Sequence, residues 1–232
     1  MKHRKSCAMT VAVASLLVLA VFGPVLLAGP PLTCFPFQIG NARSLPWSTG
    51  ANQRDWNTPK SNYDTRRLAD DTLALLGDET PVIVRMETIR RAALYGLKDS
   101  AAAQDLLARL KARALKNEKG KGNTLHLFDY GYLVETYKQA SLHQGDKKGF
   151  SSAGGEDGYA RVREALALRG NDPEMEFAAA LITIWPRQER HQEHFRKAVA
   201  GASGDALLTD NLISHFPDRG ASLTELRASA AR

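Results

Sequence analysis

The sequence predicts an all-α protein, built of antiparallel helical hairpins that either stack as a superhelix or gather in an irregular bundle, behind an N-terminal apolar segment. Three observations predict it. Apolar side chains recur at steps of three and four along much of the chain beyond residue 61, the spacing that lines one face of an α-helix. Proline, glycine and short polar residues stand where those stretches start and stop. Ahead of them lies one long uncharged run preceded by basic residues alone. The divisions that follow are 1–29 for a signal peptide or membrane anchor, 30–60 for an extended proline- and aromatic-rich strap with a polar linker, and 61–232 for an α-helical domain.

The first segment sets the expected address. Lys2, His3, Arg4 and Lys5 precede an uncharged, mostly apolar run from Ala8 to Ala28. A cationic flank stays on the cytoplasmic side while the run partitions into the bilayer, so the rest is delivered outside, to the periplasm or another extracytoplasmic space. The run is long enough to span about 30 Å of hydrocarbon as a helix and so to serve as an anchor. Gly23 and Pro24 interrupt it, and Ala20 and Ala28 are small enough to mark cleavage sites, so removal and retention both stay open. Without the first thirty residues, which hold three basic side chains and no acid, the charge falls from +6 to +3. That balance gives no support to nucleic-acid binding. If Cys7 leaves with a signal, Cys34 remains alone, which excludes an intramolecular disulfide, and burial is its expected state.

Residues 30 to 47 carry Pro30, Pro31, Pro36 and Pro46 among Phe35, Phe37, Ile39, Leu45 and Trp47, a composition that forbids a long helix and still permits packing. Ser48 to Asn62 turns polar, with Trp56 placed to pin that linker to the body. Ser61 or Asn62 then caps a helix carrying Leu68, Leu75 and Leu76 up to Gly77. Thr80 and Pro81 open the next, on which Val82, Met86, Ile89, Ala93 and Leu97 form one stripe; Ala103, Leu107, Leu110 and Ala114 make the matching one. Residues 80 to 116 are therefore expected to form a hairpin that buries the two stripes against each other. A helix from Leu125 to about His143 follows, with Leu127, Tyr130, Val134 and Tyr137 on a core-facing stripe, then a Gly/Ser loop from Gly145 to Gly158. Helices near 158–169, 172–185, 188–200, 205–214 and 222–231 complete the chain; Asp172 with Pro173 and Ser222 with Glu225 mark two starts.

One internal repeat stands out. With an offset of 33, Val162 aligns with Phe195, Arg163 with Arg196, Ala165 with Ala198, Leu166 with Val199 and Ala167 with Ala200. On these residues the unit from Asp172 to Asp205 resembles a tetratricopeptide repeat, in which two antiparallel helices pack through large and small residues at fixed positions. Met175, Ala178, Ala179 and Ile182 match the first helix of that family and Phe195 and Ala198 the second; His191 and Ser203 depart from it. The resemblance implies a binding groove on the inner helices, with Glu176, Ala180 and Thr183 lining it for a peptide or protein partner. A competing arrangement lays the strap or the 80–116 hairpin over that surface and leaves no groove.

Catalytic motifs are absent: there is no His-Glu-x-x-His pattern, no Gly-x-Ser-x-Gly elbow, no dinucleotide fingerprint, and the spacing around Gly120, Lys121 and Thr124 is wrong for a phosphate loop. Ser151 and Ser152 lack a partner base, and Asp70 and Asp71 point to different sides of a helix. The basic run from Arg109 through Lys111, Arg113, Lys116, Lys119 and Lys121 reads as a solvated helix end. His191 and His194 are the most metal-like pair, and two ligands are too few for a zinc site. No cofactor is implied. The expected function is therefore a non-catalytic protein- or peptide-interaction module of the cell envelope, which touches a membrane only through its N-terminal segment; the alternative is a hydrolase or metal-dependent enzyme whose site assembles from dispersed residues.

Overall fold

The structure is a computed structural model that describes residues 30–48, 58–118, 123–144, 153, 155–170, 172–184 and 188–232. The apolar run Ala8 to Ala28, Trp56, Ser151 and Ser152 lie outside the described residues. Among the described residues the regular structure is helical, and no helix is long and apolar enough to cross a membrane. A single turn, α1 (Pro31–Cys34), precedes α2 (Leu68–Leu75), α3 (Val82–Gly96), α4 (Ser100–Glu118) and α5 (Thr124–Gln144). Then come α6 (Gly158–Arg169), α7 (Pro173–Thr183), α8 (Gln188–Gly201), α9 (Ala206–His215) and α10 (Leu223–Ala230).

Local chemistry explains most of the starts. Asp157, Asp172, Asp205 and Ser222 each accept a backbone N–H of the first turn that follows, satisfying donors that have no intrahelical partner. Glu225 returns the favour one residue further out than a capping box requires, accepting from the Ala221 N–H at 2.7 Å. The second helix starts later than Ser61 or Asn62 predicts. Asp64 is its effective cap, opening a 3-10 turn at Thr65–Arg67 that runs into α2. Gly170, at φ 68°, closes α6 in the left-handed conformation that glycine tolerates.

The core has two central helices rather than a row of one-sided ones. Every residue of α3 except Arg91 and Leu94 is buried, and so is all of α7 from Met175 to Thr183. The predicted 80–116 hairpin forms only in part: α3 and α4 meet where Gly96 abuts Ala103, but α3 packs chiefly on α5, and α4 on α5 and α2. Two stripes do not seal each other, because α3 is apolar or paired on all sides and needs cover from several directions. The most extensive helix pairs are α7 with α8 and α5 with α6. The second is drawn close by glycine: a Cβ on Gly131 would stand 2.5 Å from the Gly158 carbonyl oxygen.

The strap forms no long helix. Its apolar residues Leu32, Phe37 and Leu45 are fully inside, joined to one core with α3, α5, α7 and α9. Trp47 bridges to Pro59, with Arg90 and Arg91 against its ring face at 5.1 and 5.6 Å from the centroid. Cys34 is half-buried rather than buried, and desolvation raises its thiol pKa. Asp70 and Asp71 serve different neighbours, Arg109 and Arg67 respectively. The basic run is partly tied down as well: Arg109 reaches Asp70 and Asp105, Lys111 reaches Glu156, and Arg113 donates to the Leu76 carbonyl.

Candidate functional site

Main-chain groups of the strap are met by side chains from three helices. The Leu32 N–H donates to Gln139 Oε1 on α5 at 2.9 Å, and the Phe37 N–H to Glu87 Oε2 on α3 at 3.0 Å. On α9, Asn211 makes a two-bond clamp: its Oδ1 accepts from the Gln38 N–H and its Nδ2 donates to the Gln38 carbonyl, both at 2.9 Å. An asparagine amide carries an acceptor and a donor side by side, so it pairs with the N–H and C=O of one residue as a neighbouring strand would. Arg90 donates to the Thr33 carbonyl, Arg91 to the Leu45 carbonyl and Tyr95 to the Pro46 carbonyl. The side chains that point inward find apolar or aromatic seats. The Phe37 ring stacks on His215, with centroids 4.6 Å apart and planes at 8°, and meets Phe177 edge-on at 6.0 Å.

Glu87 is the hinge of this arrangement. Its Oε1 accepts from Arg90 Nη2 at 2.8 Å and Arg91 Nε at 2.6 Å, and its Oε2 from Arg90 Nε at 2.7 Å as well as from the strap. Residues 87, 90 and 91 share one helix face by their spacing of three and four. Burial pushes the Glu87 carboxyl up, and the hydrogen bonds and charges of Arg90 and Arg91 outweigh it, holding the group below the usual carboxylate range. A second buried pair, Arg85 with Asp129 at 2.7 Å, braces α3 against α5; burial raises Asp129 to about 6 despite that guanidinium.

Of the residues that the sequence assigns to a groove, Glu176 reaches only the floor of a cleft between α6, α7 and α8, and Ala180 and Thr183 are not among that cleft's lining. Ala180 and Thr183 are 0% exposed and Glu176 2%, because α7 is covered by α8 on one side and by α1, α3, α5 and α6 elsewhere. Thr183 spends its hydroxyl on the Ala179 carbonyl at 2.8 Å, and the Ala180 carbonyl accepts from His191 Nδ1 at 2.8 Å. The contacts at Glu176 and Ala180 come from α8, through His194, Lys197 and His191, while the strap meets α7 at Phe177. A signal for this was present in Phe177 to Ile182, six consecutive apolar residues with no polar face to leave in water.

Glu176 instead belongs to a buried relay. His194 Nδ1 lies 2.5 Å from Glu176 Oε2, and the Tyr159 hydroxyl 2.7 Å from His194 Nε2. A carboxylate only accepts, so Nδ1–H donates to Glu176, and Nε2 shares a hydrogen bond with the Tyr159 hydroxyl. This relay floors a cleft between α6, α7 and α8. His191 is committed too, its Nδ1 to α7 and its Nε2 to Arg219 at 3.2 Å, and burial lowers its pKa. The two histidines thus share no ligand geometry, and among the described residues no three His, Cys, Asp or Glu side chains come together as a metal-binding group. Tyr159, Gln139 and Asn211 had no sequence signal of their own. Glu87, Arg90 and Arg91 did, as three of the four charges, with Arg85, inside a mostly apolar helix.

No family model matches the chain, and no curated protein and no solved structure matches it significantly.

Proposed function

We propose that the chain is a non-catalytic interaction protein of the cell envelope, whose helical body is built to hold an extended polypeptide segment and at rest holds its own strap. The observation that carries this reading is the clamp on main chain: Glu87, Gln139 and Asn211, from three helices, bond backbone groups of Leu32, Phe37 and Gln38. Side chains that read peptide units are how a helical surface binds extended chain, with pockets such as that of Phe37 adding selectivity. The partner is a protein or peptide segment with apolar side chains at the spacing of Leu32 and Phe37, competing with the strap for the same seat. The α7–α8 pair supports a tetratricopeptide-like hairpin: His191 bonds late in α7 and His194 early, which makes the helices antiparallel, and Ala178, Ala179, Ile182, Phe195 and Ala198 are all buried. The basic flank before Ala8 to Ala28 supports an extracytoplasmic location, with the body beginning right after that run.

A specific protease site placed in 49–57 tests the reading. The nicked, folded protein is mixed with a labelled peptide of residues 30–48. Uptake of label with the helical signal unchanged is the expected result, and N-methylation of the peptide at Gln38, which removes the donor to Asn211, should weaken it by about tenfold. If the helical signal collapses as the strap leaves, the strap is core and the body is no receptor.

A further inference from the structure

The cleft between α6, α7 and α8 encloses about 200 Å³. Helix α6 contributes Arg163 with the apolar Leu166 and Ala167 on one face, and α8 contributes Arg190 and Lys197. These cations are unequally committed. Lys197 Nζ sits 2.9 Å from Glu193 Oε1 and 3.5 Å from Glu176 Oε1. Arg190 approaches Glu193 only to 3.5 Å, beyond an ordinary N–H···O length. Arg163 rests against the Tyr159 ring, with its guanidinium carbon 5.9 Å from the centroid. Two guanidinium forks therefore line the cleft with donors to spare. Three cations stand against the two carboxylates of Glu176 and Glu193, and the Glu176 charge is shared between the His194 Nδ1–H and Lys197.

We propose that this cleft binds a small soluble phosphomonoester, independently of the strap and its seat. The dianionic head lies between Arg163 and Arg190, and a short hydrocarbon portion lies on Leu166 and Ala167. A tetrahedral oxyanion presents enough oxygens for two forks at once, whereas a carboxylate offers two oxygens and one charge and fills only one fork. The relay beneath gives the site a fixed floor: with Tyr159 bonded to His194 and His194 to Glu176, both rings are held in place, and the head is met by the arginines.

The test titrates the full chain, in a neutral detergent, with propyl phosphate, inorganic phosphate and acetate while following the His194 and Tyr159 ring signals by NMR. Propyl phosphate should saturate, inorganic phosphate should bind more weakly, and acetate more weakly still. Arg163→Gln combined with Arg190→Gln, both on the exposed rim, should raise the propyl phosphate Kd by at least about tenfold. Arg169→Gln, on the same helix but paired with Asp172, should leave it unchanged. Acetate binding as well as phosphate, a double variant that binds like the parent, or the absence of saturation at about 10 mM would each overturn the proposal.

Discussion

Glu87→Gln removes one charge and keeps the shape, which makes it a stringent probe of the strap's seat. All four groups that contact the carboxylate are donors: the Phe37 N–H, Arg90 Nε and Nη2, and Arg91 Nε. Whichever oxygen becomes an amide nitrogen, two of these donors then face another donor. The lost bonds are charge-assisted, worth about 1.5–3 kcal/mol each, and buried Arg90 loses its carboxylate. Breaking a buried pair by removing one member costs about 3–5 kcal/mol, and that is the expected loss for Glu87→Gln. Arg91→Ala, at a side chain 18% exposed and with one contact to Glu87, should cost less than half as much. Replacing Glu87 and Arg90 together by leucine should be milder than Glu87→Gln alone, because the fully buried charge leaves with its partner and only the partly exposed Arg91 loses its carboxylate. Urea unfolding followed by circular dichroism measures all three. The depressed carboxyl also sets a direction with pH: its stabilisation is complete above the unfolded carboxylate value and is lost as pH falls through the folded one. A Glu87→Gln protein within about 1 kcal/mol of the parent would refute the network as a source of stability.

Thr183→Arg places a charge at a fully buried position and should cost about 4 kcal/mol or more; near-neutral stability would mean that α7 is open after all, and thermal unfolding decides it. Burial lowers the His215 pKa from 6.5 to about 4, so the neutral ring's contribution is complete above the unfolded value and declines as pH falls from there toward 4, by up to about 3 kcal/mol. His215→Phe should therefore show a flatter stability profile across that range, and an unchanged slope would refute the assignment. Gly131→Ala should cost about 1–3 kcal/mol by forcing α5 and α6 apart, measured by chemical denaturation against Gly77→Ala, where a Cβ meets nothing nearer than 3.8 Å.

Much of this architecture was legible in the sequence because its signals are local. Asp172 with Pro173 and Ser222 with Glu225 announce helices through contacts spanning three or four residues, and the structure starts α7 and α10 there. The proline content of 30–47 likewise limited helix to a single turn at α1. The misreadings concern faces rather than elements. The stripe from Val82 to Ala93 is buried as expected, yet Arg85, Glu87, Thr88 and Arg90 on the remaining faces are buried too. Periodicity says which residues of a helix are apolar, and it cannot say that a distant segment will cover the polar ones. The groove at Glu176, Ala180 and Thr183 was misread as a face too: Glu176 and Ala180 turn to α8, the second helix of the same unit, while α1, α3, α5 and α6 cover other parts of α7. The Tyr159–His194–Glu176 relay joins α6, α7 and α8 across sequence separations of 35 and 18, which no spacing rule reaches.

The bond between Gln38 and Asn211 closes a sequence separation of 173 residues, against 50 for Phe37 with Glu87. Closing the longer loop adds only about 1 kcal/mol of chain entropy. In time the difference is larger. A chain made from its N-terminus presents the strap first and completes the strap's seat nearly last, so docking waits for α9 and is among the final folding events. Until then the strap has its bonds to Glu87 and Gln139 without the Asn211 clamp. Under the proposed function, a competing segment with the spacing of Leu32 and Phe37 would enter most readily on the folding timescale, when the Asn211 clamp has yet to form.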